Sequence, residues 1–131
     1  MFVSYATADG TATSEQVVTQ ITKLRPSARV FQDKLSIDIG TAWQRRIATA
    51  IESSRRVVIV LTPGFLLSRA CQEELNMAHL KHLEADQPVL FPLYVLSCAL
   101  PLHIRVLNYI DCREQDVAAT NVACQRLVES L

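Results

Sequence analysis

Glycine is scarce: Gly10, Gly40 and Gly64 are the three in 131 residues. None falls in a GxGxxG or Walker pattern, so the sequence offers no glycine-rich cradle for a nucleotide phosphate. The four cysteines, Cys71, Cys98, Cys112 and Cys124, form no CxxC and match no zinc spacing. They read as reduced, mostly buried thiols, and sequence alone shows no pairing among them. Neither sign of charge is in excess, since 13 Lys and Arg balance 13 Asp and Glu. No basic stripe suggests nucleic acid and no charge asymmetry suggests an anionic membrane, while the near-zero net charge slightly favours self-association. No apolar run is long enough to span a bilayer, and no signal peptide is evident.

What is present is hydrophobic side chain, half of all residues, in a chain of one-domain length. This implies a buried core and excludes disorder. Strand and helix patterns alternate throughout. Phe2–Tyr5 is a short apolar run before the turn-prone ATADG. Ser14 offers an N-cap hydroxyl to a helix with Val17, Val18, Ile21 and Leu24 on one face. Pro26 stops that helix, and Ala28–Gln32 reads as a second strand. A polar loop, Asp33–Thr41, leads to a helix over Ala42–Ser53 with Trp43, Ile47, Ala50 and Ile51 on one face.

Arg56–Leu61 contains VVIVL, a continuous apolar run suited to a strand buried on both faces. Thr62-Pro63-Gly64 ends it. A helical turn over Phe65–Arg69 precedes a helix over Gln72–Glu84, with Leu75, Ala78, His79 and Leu83 inward. Val89–Val95 and Tyr109–Cys112 read as the fourth and fifth strands, separated by a mixed segment around Pro101. The last helix, Glu114–Leu131, is expected to bury Val117, Thr120 or Asn121, Cys124, Leu127 or Val128, and Leu131.

Five strands alternating with helices predict an α/β fold: a flavodoxin-like five-stranded parallel sheet, order 2-1-3-4-5, with helices on both faces. Ligands of such sheets bind beyond the carboxyl ends of the strands. A phosphoacceptor receiver shares this topology but needs an aspartate at the end of strand three, where this chain has Leu61-Thr62-Pro63.

Four local stretches carry a resemblance. They are Phe2-Val3-Ser4-Tyr5; Val30-Phe31-Gln32-Asp33 followed by Gly40; Ser53 to Gly64; and Ser68-Arg69-Ala70-Cys71-Gln72-Glu73-Glu74-Leu75, which looks like S-x-W-C-x-x-E-L. In this order and spacing the chain resembles the Toll/interleukin-1 receptor (TIR) domain family, over essentially its whole length. The resemblance implies one TIR domain over residues 1–131, cut from a longer multidomain protein and cytoplasmic. It implies innate-immune or cell-death signalling by homotypic association with other TIR domains, as a homo-oligomer or with adaptor or receptor partners. The docking element is then the BB loop, Ser36, Ile37, Asp38, Ile39 and Gly40. Members usually carry Pro-Gly where this chain has Ile39-Gly40. No nucleic acid and no membrane insertion are implied.

The same resemblance implies a second activity, NAD+ glycohydrolase. No cofactor is required, and NAD+ is then the substrate. Glu74 stands where enzymatic TIR domains hold the carboxylate that engages the nicotinamide ribose. Breaking that bond builds positive charge on the ribose, which a nearby carboxylate stabilises. Tyr5, Phe31, Asp33 and Lys34 would bound the cleft, with Phe31 against the nicotinamide. Glu74 reads equally as a helix-start residue interacting with the helix dipole, and Phe31 equally as strand packing. Ala70 replaces the motif tryptophan, and Tyr5 is followed by Ala6-Thr7-Ala8 rather than basic residues. His79 and His82 stand at i and i+3 with no third ligand evident, so no metal site is read.

Overall fold

A computed structural model describes residues 1–32 and 41–131. Within them, five strands and their helices alternate. They are β1 (Phe2–Ser4), α1 (Thr11–Leu24), β2 (Phe31–Gln32), α2 (Thr41–Ser53), β3 (Val57–Leu61), α3 (Pro63–Leu67), α4 (Arg69–Glu84), β4 (Leu90–Tyr94), α5 (Leu102–Arg105), β5 (Ile110–Asp111) and α6 (Val117–Glu129). A 3-10 turn, Arg113–Gln115, precedes α6. The sheet order is β2-β1-β3-β4-β5 and every pair is parallel. This is the expected doubly covered arrangement.

β3 is the central strand, and all five of its residues are buried. Val57, Ile59 and Leu61 face a core with Trp43, Ile47 and Ile51 of α2 and Leu75 and Ala78 of α4. Val58 and Val60 face the opposite core with Val17 and Ile21 of α1 and Ala123, Cys124 and Leu127 of α6. A strand covered on both sides has no polar face to offer, which is why its sequence does not alternate.

Two cations close helix ends. Lys81 on α4 donates from Nζ to Ile51 O (2.9 Å) and Glu52 O (2.8 Å) at the end of α2, and also to Ser54 O. Arg56 does the same for α6, through Ser130. The last carbonyls of a helix lack intrahelical partners and carry negative partial charge, so a cation there satisfies both needs.

Several local expectations are corrected. α1 starts at Thr11 with Gly10 as its cap, not at Ser14. The turn closed by Gly10 N–H to Ala6 O (2.8 Å) delivers the chain straight into the helix. Ser14 is therefore inside it, buried, and its hydroxyl accepts from Gln32 Nε2 at 2.5 Å. Leu24, in the last position of α1, is exposed. Thr62-Pro63-Gly64 ends β3 but also opens α3: Thr62 Oγ1 accepts from Phe65 N, and Pro63 sits where a missing N–H costs nothing.

On α4 the buried positions are Ala70, Cys71, Glu74, Leu75 and Ala78. Continued by four residues, that face meets His82, whose Nδ1 accepts from Val89 N (3.1 Å) and Leu90 N (3.3 Å). Leu83, expected inward, lies about 100° further round the helix and is exposed. α6 starts at Val117, capped by Asp116, not at Glu114. Glu114 and Gln115 take positive φ (62° and 54°), which breaks any helix running through them. Val117 is consequently exposed; Thr120, Cys124 and Leu127 are buried as expected, and Leu131 is half-buried.

Candidate functional site

Two of the described segments at the carboxyl edge of the sheet, one leaving β1 and the other leaving β3, come together. After β1 the chain runs through Tyr5–Gly10 and turns back tightly. After β3 it enters α3 and then, past Ser68, α4. Ser68 caps α4 by accepting from Cys71 N at 3.2 Å. Two helices meeting at one serine bring the first turns of α4 beside the segment after β1.

Asp9 joins these pieces. Its Oδ1 accepts from Thr62 Oγ1 at 2.6 Å, and its Oδ2 accepts from Gly64 N at 2.8 Å. Gly64 is required by this approach: a Cβ there would lie 2.5 Å from Asp9 Oδ1. Sequence reasoning misses Asp9, Thr62 and Gly64 as site residues, although it reads ATADG and Thr62-Pro63-Gly64 as turns. No local pattern signals a contact made across 53 residues.

Between the two segments is a cavity of about 250 Å³. Among the described residues, one wall is Tyr5–Ala8 and the other is Gly64, Leu67 and Ser68; α4 contributes Ala70, Cys71 and Glu74. Glu74 is only 4% exposed. Ala70, standing where the motif has tryptophan, is buried and faces this space. Glu73 points elsewhere, accepting from Gln44 Nε2 at 3.3 Å and lying 3.6 Å from Arg69. Nearby, burial pushes the Cys98 thiol up; the Tyr94 hydroxyl opposes this and the Asp9 charge adds to it.

Of the residues expected at a ligand site, Tyr5 and Glu74 come together in this cavity. Phe31 is not among its described lining residues. It stacks on Phe2, ring centroids 5.3 Å apart and planes 19° from parallel, and is 37% exposed. Asp33, Lys34 and the Ser36–Gly40 loop lie outside the described residues. Trp43 is buried in the core under α2.

A family model described as the TIR domain matches residues 1–128. The chain belongs to the TIR domain family. As a TIR domain it is a signalling module. Its fold is also that of a solved TIR domain, from the Toll-related receptor TRR-2 of Hydra magnipapillata. The two share 21% identity and superpose with a TM-score of 0.73, over 98% of this chain and 96% of that one. No match was found among curated proteins. Among the described residues, no helix of this TIR domain is long and apolar enough to cross a membrane, and no cluster of three or more His, Cys, Asp or Glu could hold a metal.

Proposed function

We infer that this TIR domain signals in the cytoplasm by associating with other TIR domains, its own copies first, through the Ser36–Gly40 loop. The supporting observation is the large apolar side chain left in water. Leu67 at the end of α3 is 88% exposed, and Leu80, Leu83, Leu102 and Val106 are exposed on and beside α4 and α5. Contiguous exposed apolar surface marks contact sites, and the sequence places two β-branched residues, Ile37 and Ile39, in the segment proposed to dock. Zero formal net charge leaves little repulsion between copies. Weak contacts suffice once subunits are held together, because effective concentration replaces affinity. Light scattering against concentration tests this. Mass should rise for the wild type and stay monomeric for Ile39→Asp, with an unchanged melting temperature. A concentration-independent monomer, or an oligomer indifferent to Ile39→Asp, overturns the reading.

The burial of Glu74 in a cavity favours a second activity, hydrolysis of the nicotinamide–ribose bond of NAD+. Water adds to the anomeric carbon, nicotinamide leaves as a neutral group with the bonding pair, and one proton is released. The Glu74 carboxylate stabilises the positive charge that develops on the ribose, and in a partly dry site that interaction is stronger than in water. A cavity of about 250 Å³ has room for the nicotinamide–ribose end of the dinucleotide, which supports this reading. NAD+ consumption by the domain tethered at high density, beside Glu74→Ala, is the test. Nicotinamide release that disappears in the variant supports the activity. No turnover by the folded wild type leaves the scaffold alone.

A further inference from the structure

We propose that Asp9 is the positioning residue of the Glu74 cavity: its carboxylate ties the two walls together and sets the width between them. The functional meaning of that width rests on the nicotinamide–ribose reading of the cavity; the clamp itself rests on geometry alone.

Each wall carries one end of the clamp. Asp9 directly follows the lining segment Tyr5–Ala8, and its turn is closed by Gly10 N–H to Ala6 O at 2.8 Å. On the other side Gly64 is itself a lining residue, and its N–H donates to Asp9 Oδ2 at 2.8 Å. Thr62 Oγ1 donates to Asp9 Oδ1 at 2.6 Å while accepting from Phe65 N at 3.1 Å. Thr62 is fully buried, so its hydroxyl ties Asp9 to the capped start of α3 in one arrangement. Hydrogen bonds to a charged group in such a setting are stronger than neutral ones. Gly64 leaves no room for a side chain beside the carboxylate. Asp9 therefore acts on the cavity through its walls.

Cys71 reports on this directly, because it lines the cavity and is 3% exposed. Cys112 and Cys124 are buried in the opposite core and report on unfolding. Iodoacetamide labelling, read thiol by thiol by mass spectrometry, needs no ligand. Asp9→Ala and Gly64→Ala should each speed Cys71 labelling by about tenfold or more, with Cys112 and Cys124 unchanged, since lost charge-assisted hydrogen bonds raise the open population by that order. Thr62→Ser keeps the hydroxyl and should label like the wild type. Asp9→Asn keeps one acceptor oxygen and should fall between, which covers the case in which Asp9→Ala does not fold. Wild-type labelling of Cys71 in folded Asp9→Ala, or acceleration of all three buried thiols together in both Asp9 variants, overturns the proposal. NAD+ added to the wild type separates the two claims. If NAD+ gives Cys71 no protection while Asp9→Ala still accelerates its labelling, the clamp is supported and the nicotinamide reading alone fails.

Discussion

Arg56 holds Ser130 by both its hydroxyl and its carbonyl. Nε donates to Ser130 Oγ at 3.2 Å and Nη2 to Ser130 O at 2.6 Å, across 74 residues of sequence. Nη1 donates to Arg55 O at 2.9 Å, and the guanidinium lies 5.9 Å from the centre of the Phe91 ring. Arg56 is 4% exposed. Burial, then the neighbouring Arg55 charge, lower its pKa from the usual value. A cation placed there at that desolvation cost serves a purpose: it closes the carboxyl end of α6 against the amino end of β3.

Replacing that cation tests its contribution. Arg56→Met keeps the stem and removes every donor, so it is expected to destabilise the domain by about 2 kcal/mol, the net size of hydrogen bonds to a charged group. For a chain of this size that lowers Tm by roughly 6–10 °C. Arg56→Lys, which retains the charge but not the fork, should lose less. Thermal melts of the three proteins decide it, and a wild-type Tm for Arg56→Met would remove the argument.

The Asp111–Arg113 pair predicts a pH response in the acid range. Arg113 reaches Asp111 with two parallel bonds, Nε to Oδ1 at 2.9 Å and Nη2 to Oδ2 at 2.8 Å, and its own backbone N–H adds a third at 3.1 Å. The side-chain bonds first, then the backbone bond, lower the Asp111 carboxyl from 3.8 to about 2. A folded-state value below the unfolded one means the pair stabilises above pH 3.8 and loses that contribution as pH falls toward about 2. Both side chains are about half exposed, so the contribution is small and screened by salt. A carboxyl titration by NMR should place Asp111 near the lower value, and Arg113→Gln should return it toward 3.8. An unshifted Asp111 in the wild type would show that the pair does not form in solution.

At the alkaline end the thiols act in the opposite sense. Burial, with a smaller effect from Cys112, pushes the Cys124 thiol from 9.0 up to about 11. The folded state then keeps a proton that the unfolded chain gives up. Its contribution is fully present below pH 9.0 and is lost as pH rises from there to about 11. Cys124→Ala should flatten that part of the profile, read as urea midpoints against pH. Equal alkaline slopes in both proteins would assign the loss to another group.

The fold is largely legible in the sequence because its signals are local. VVIVL announces a strand buried on both faces, and Trp43, Ile47 and Ile51 mark one helical face by spacing alone. Where structure and expectation part, a longer-range contact or backbone geometry decides. Ser14 has the chemistry of a cap, but the Ala6–Gly10 turn starts the helix earlier and turns that hydroxyl toward Gln32. Leu83 fits a hydrophobic pattern, yet the phase of α4 presents His82 to the backbone of β4. The left-handed residues Glu114 and Gln115 carry no glycine to advertise them. The candidate site is half legible: Glu74 shows through its motif and Tyr5 through the first strand, while Asp9, Thr62 and Gly64 give no sign of belonging to a site.

The sequence by itself determined the five strands and the main helices in order, the doubly covered sheet and the family. Each of these is encoded in periodicities and short motifs that a few neighbouring residues express. Only the tertiary structure decided that Glu74 is buried at a cavity, that Asp9 ties its walls, and that Arg56 and Lys81 close helices from elsewhere in the chain. Those depend on side chains brought within hydrogen-bond distance by packing, and distance in space is not written in the spacing of residues along the chain.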